Sequence, residues 1–142
     1  MKMRALYFSK AENAESVMKA VAADQNCHCD KIPPAYPCER EALVFICVEA
    51  DKDVADEKVT ALVKDLNTER TKNVAFILVS SNGSTAAINS LKDMVTKNGI
   101  GVVGETLVLP AKKGLFKQGK LEDGAVDKAK KWAKDIVASM QD

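Results

Sequence analysis

No apolar run in this chain of 142 residues approaches the roughly 18 residues needed to cross a bilayer, so no membrane-spanning helix is expected. The opening residues, Met1 to Ser9, lack both the small-residue cleavage site and the apolar length of a secretory signal, and a cytoplasmic location is expected. Nor is there an excess of either charge. The 21 lysines and arginines set against 20 aspartates and glutamates leave a net charge of +1, which gives no field to draw the protein to nucleic acid. There is one histidine, His28, and with no serine or cysteine nucleophile motif near it a hydrolytic triad has no support. Internal repeats and low-complexity segments are also missing. The four cysteines, Cys27, Cys29, Cys38 and Cys47, come without an export signal and read as reduced thiols rather than a disulfide framework. Cys27-His28-Cys29 invites a zinc reading, because thiolates and imidazole suit that ion. The spacing is wrong for it. Two cysteines separated by one residue do not make the usual knuckle, and His28 would face the other side of a strand, so no metal site is expected. Cys47, inside an apolar run, reads as core.

What the chain does have is the makings of one globular domain over residues 1–142, with 46% hydrophobic and 29% charged residues. Apolar runs alternate with helical stripes along its whole length, the mark of a parallel sheet covered by helices. Strands are predicted at Met3 to Phe8, Cys27 to Ile32, Ala42 to Val48, Val74 to Val79 and Val102 to Leu109. The third and fourth are unbroken enough to be buried on both faces, whereas the second is weaker and nearer an edge. Helical spacing recurs at Ala14, Val17, Met18, Val21 and Ala22, from Asp53 to about Thr68, through Ala87, Ile88, Leu91, Met94 and Val95, and from Glu122 to Met140. Pro33, Pro34 and Pro37 leave the connection between strands two and three without a full covering helix. A polar loop is predicted over Pro110 to Lys120. The fold class is therefore α/β, a doubly wound five-stranded parallel sheet of order 2-1-3-4-5. In that arrangement ligands bind beyond the carboxyl ends of the strands, beside the switch point between strands one and three, so function belongs in the loops after Phe8, Val48 and Val79.

The first of those loops carries a family resemblance. Leu6-Tyr7-Phe8-Ser9-Lys10-Ala11-Glu12-Asn13-Ala14-Glu15 is similar to the opening of a flavodoxin, in which a strand ending in an aromatic pair runs into a Ser-x-Thr-Gly-Asn-Thr loop around the phosphate of flavin mononucleotide (FMN). Ser9 and Asn13 match that pattern. Ala11 and Ala14 stand in place of threonines, and Glu12 in place of glycine, which puts a carboxylate where a phosphate should sit. The stretch Leu115-Phe116-Lys117-Gln118-Gly119-Lys120-Leu121 also resembles the close of such domains. The resemblance implies that Ser9, Lys10, Ala11, Glu12, Asn13 and Ala14 hold the phosphate. Glu49 and Ala50, with Ser80, Ser81, Asn82 and Gly83, would then line the flavin through the other two loops.

A plainer reading competes at each loop. Ser9-Lys10-Ala11-Glu12 fits a capping box, with Ser9 capping a helix that begins at Lys10 and Glu12 reaching back to it. Glu49-Ala50-Asp51-Lys52-Asp53 lacks an aromatic to stack on a flavin and reads as the acidic start of a helix. The serine loop after Val79 could simply cap its helix. A receiver domain of response regulators has similar architecture, but the acidic pair after strand one that would hold magnesium is missing. Charge is unevenly placed, with eight lysines against three acidic residues from Lys112 to Lys134 and nine acidic against four basic residues from Glu39 to Glu69. Two functions follow. One is an FMN-binding electron carrier serving a redox partner protein; the other is a degenerate flavodoxin-like domain without FMN that acts as a binding or scaffolding module.

Overall fold

The computed structural model describes residues 1–112 and 120–141. The elements run β1 (Met3–Phe8), α1 (Asn13–Gln25), β2 (His28–Lys31), β3 (Leu43–Glu49), α2 (Glu57–Asp65), β4 (Asn73–Ser80), α3 (Ala86–Lys97), β5 (Gly101–Val102), β6 (Leu107–Lys112), β7 (Lys120–Leu121) and α4 (Ala125–Met140). The strands hydrogen-bond in the order β2-β1-β3-β4-β6-β7, with β5 also against β4; every pairing is parallel except that of β6 with β7. The switch point falls between β1 and β3 as expected.

Burial explains which strand takes which place. All seven residues of β3 are buried, and seven of the eight in β4, because helices cover both faces of the sheet there. Ala5, Phe45, Cys47, Ala75 and Ile77 pack beneath α1 and α4. Leu6, Val44, Ile46, Phe76 and Leu78 pack beneath α2 and α3. Strand β2, with no fully buried residue, lies at the edge. The prolines act as expected: no helix forms between residues 32 and 42.

Four expectations are corrected. The predicted strand Val102 to Leu109 is two strands, because the chain turns at Gly104 with φ +72°. A β-carbon at Gly104 would lie 2.9 Å from Ile136 Cδ1, so α4 packs almost onto the backbone here. Trp132 of the same helix donates its indole N–H to the Glu105 carbonyl at 3.0 Å. The second helix begins at Glu57 and not near Asp53, because Asp56 caps it by accepting the Lys58 N–H at 2.9 Å; it ends at Asp65, where Leu66 is extended. The last helix begins at Ala125 rather than Glu122, after a left-handed Gly124. Of the predicted loop over Pro110 to Lys120, the first three residues complete β6, Lys120 opens β7, and residues 113–119 lie outside the described residues, as does most of the Leu115 to Leu121 stretch.

Candidate functional site: an anion cradle filled by Glu49

Strands β1, β3 and β4 end side by side, which brings together the three loops that follow Phe8, Glu49 and Ser80. The loop after β1 does not form the capping box. Helix α1 starts at Asn13 instead of Lys10, and Glu12 is itself the capping residue, in the left-handed region at φ 63°, with no side-chain capping bond. Its carbonyl accepts the Ser16 N–H at 3.1 Å, while its side chain lies exposed. Ser9 faces elsewhere. What the loop makes is a concave set of donors at the positive end of a helix of 13 residues, the arrangement that suits an anion.

An anion is present there, and it belongs to the chain. The carboxylate of Glu49, the last residue of β3, accepts the Ser9 hydroxyl at 2.6 Å and the Ala14 N–H at 2.8 Å on Oε1, and the Ala11 N–H at 3.2 Å on Oε2. Glu49 is only 6% exposed. A carboxylate is tolerated in such a place when hydrogen bonds to charged acceptors replace its lost water. Thus the negative charge in the cradle is that of Glu49 and not, as the loop sequence suggested, that of Glu12. Glu49 does not start a helix either. Six residues separate it from the Asp56 cap of α2.

The loop after β3 is also tied to the loop after β4. Asp51 Oδ1 accepts the backbone N–H and the hydroxyl of Ser81, each at 2.9 Å, and the Asp51 carbonyl accepts the Asn82 side-chain amide at 2.8 Å. Asp53 Oδ1 accepts the Ser84 hydroxyl at 2.9 Å. Ser80, 2% exposed, folds the second loop on itself, its hydroxyl donating to Asn82 Oδ1 at 2.8 Å and accepting the Asn82 and Gly83 N–H groups. Ala50 is buried, and its N–H donates to the Val79 carbonyl at 3.0 Å. Of the residues singled out in the sequence, Ser9, Ala11, Ala14 and Glu49 meet at the cradle. Asn13 is the first residue of α1 beside it, Lys10 and Glu12 point to solvent, and Ser80, Ser81, Asn82 and Gly83 form the neighbouring loop.

The cysteines are chemically quiet. Burial pushes the thiols of Cys27, Cys29, Cys38 and Cys47 up, Cys29 to about 11. Cys27 and Cys29 pack toward α1 and α4, His28 is exposed, and among the described residues no three His, Cys, Asp or Glu side chains converge as a metal would require. Among the same residues, no helix is long and apolar enough to cross a membrane.

A doubly wound α/β domain with a helix-capped anion cradle at its switch point is thereby defined. Its fold is flavodoxin-like. The chain is similar to Flavodoxin 2 from Bacillus cereus, with 12% identity, a TM-score of 0.71 and coverage of 98% of this chain and 99% of that one. It is similar also to a short-chain flavodoxin associated with a bacterial microcompartment, with 13% identity, a TM-score of 0.68 and coverage of 98% and 99%. A third likeness is to the flavodoxin of Megasphaera elsdenii, with 13% identity, a TM-score of 0.64 and coverage of 93% and 98%. No protein-family model matches the sequence, and no curated protein matches it.

Were FMN bound by this fold, the donors available to its phosphate would be those of the cradle. The donors fit, but the occupant does not. A phosphate oxygen brought within about 4 Å of the Glu49 carboxylate is opposed by about 4 kcal/mol per unit charge at an effective dielectric of about 20. With Glu49 holding these three donors, the cradle does not fit the phosphate of FMN.

The sequence carried one sign of this that was missed. A glutamate at the end of a run buried on both faces must find donors, and the nearest are at the start of the helix that follows the adjacent strand.

Proposed function

We propose that this flavodoxin-like chain is a binding or scaffolding module for a partner protein, one whose phosphate cradle is closed by its own Glu49 and does not hold FMN. The observation that supports this is the set of three hydrogen bonds from Ser9, Ala11 and Ala14 to one buried carboxylate. They use the donors that a phosphate would need. The ties from Asp51 and Asp53 to the serine loop support the same reading, since they hold together two loops between which a flavin ring would lie.

A second reading keeps FMN and makes the chain an electron carrier for a redox partner; it is favoured by the survival of the donor set itself. Titrating FMN into the purified protein while following flavin fluorescence separates the two. No quenching at micromolar flavin is expected. Saturable quenching with one flavin per chain would overturn the cofactor-free reading and establish the other.

A further inference from the structure

At the opposite edge of the sheet, where the strands begin, a cavity of about 790 Å³ opens among Met3 and Arg4 of β1, His28 and Asp30 of β2, and Tyr36 and Glu41 of the connection between β2 and β3. We propose that this cavity is a binding site for an organic cation carrying a guanidinium or primary ammonium group, with Glu41 as its anchor. The site does not share residues with the Glu49 cradle and does not rest on the reading of it.

Glu41 is only 4% exposed, and its Oε2 has no hydrogen-bond partner. Buried carboxylate oxygens are rarely left in that state, because the water given up is not replaced. Nor is Glu41 placed so that it can drift outward. Its N–H donates to the Arg70 carbonyl at 3.2 Å and its carbonyl accepts the Lys72 N–H at 2.9 Å, which pins the backbone on both sides in a bridge to Thr71.

The arginine and lysine side chains that line the cavity are engaged elsewhere. Arg4 donates through Nε at 3.0 Å and Nη2 at 2.9 Å to Asp30 Oδ2, and Lys2 donates to the Glu39 carbonyl. Among the described residues no three potential ligands converge, so the buried, unpartnered carboxylate oxygen suits a donor carried on an organic group better than a metal. Tyr36, 78% exposed at the mouth, offers the kind of ring face on which a guanidinium stacks.

Two probes test this by amide shifts in nitrogen-15 spectra of the full chain, namely agmatine and the capped peptide acetyl-Gly-Arg-Gly-amide. Saturable shifts at residues 26–30 and 36–41 are expected, weakened about tenfold in Glu41→Gln, which keeps the shape and removes the charge. Tyr36→Ala, at an exposed position that leaves the fold alone, should weaken binding about threefold, so the proposal is tested even if Glu41→Gln does not fold. Tighter binding of the peptide than of agmatine would identify the ligand as an arginine of a partner, and equal binding as a free cation. No saturable shift with either probe, or unchanged affinity in a folded Glu41→Gln, would overturn the proposal.

Discussion

Glu12 and Glu49 are both glutamates at a loop that suits anions, yet they do opposite things. Glu49 supplies the anion; Glu12 supplies only a backbone corner, at φ 63°, with its side chain in solvent. A non-glycine residue in the left-handed region is held there at a cost, and glycine removes it. Glu12→Gly should therefore raise the stability of the fold by about 0.5–1 kcal/mol, read as a higher urea midpoint, without creating tight FMN binding. Micromolar FMN binding by Glu12→Gly would return the responsible charge to Glu12. Removing Glu49 should act in the other direction. Glu49→Ala strands three donors, two of them backbone N–H groups, and should cost about 2–4 kcal/mol in the same measurement.

At the scale of elements, what could be read in advance depended on whether a segment's fate was decided by its own pattern. Strands β3 and β4 were legible because each carries six apolar residues in succession, Leu43 to Val48 and Val74 to Val79, as a strand between two helical layers must. The helix-free connection between β2 and β3 was legible from its three prolines. The split between β5 and β6 was not. Val102 to Leu109 has the composition of one strand, and the break comes from α4, whose Ile136 presses on Gly104. Gly104→Ala meets both that contact and a φ of +72°, so a loss of about 1–3 kcal/mol is expected in urea unfolding. Unchanged stability would mean that the turn does not depend on the approach of α4. The candidate site was half legible for the same reason. Ser9, Ala11 and Ala14 could be placed together by a local motif, whereas their partner lies 35 residues or more away and is fixed by strand pairing.

For the molecule as a whole, the thiols set how stability responds to alkali. Burial holds Cys29 protonated up to about 11, above the ordinary thiol value of 9.0, and raises Cys27, Cys38 and Cys47 as well. The unfolded chain thus loses these protons first. Their contribution is complete below about pH 9 and is lost as pH rises toward 11, so the urea midpoint should fall over that window. Replacing Cys29 with Ser should flatten part of the fall; an identical pH profile in the variant would contradict the assignment.

The cradle itself can be observed through the amide signals of Ala11 and Ala14 while inorganic phosphate is added to the wild type and to Glu49→Ala. In the wild type both amides should stay in place through millimolar phosphate, because Glu49 already holds them. In Glu49→Ala they should begin at altered positions and move saturably as phosphate enters. If the wild-type amides follow phosphate as the variant's do, the cradle is open in solution and Glu49 does not close it.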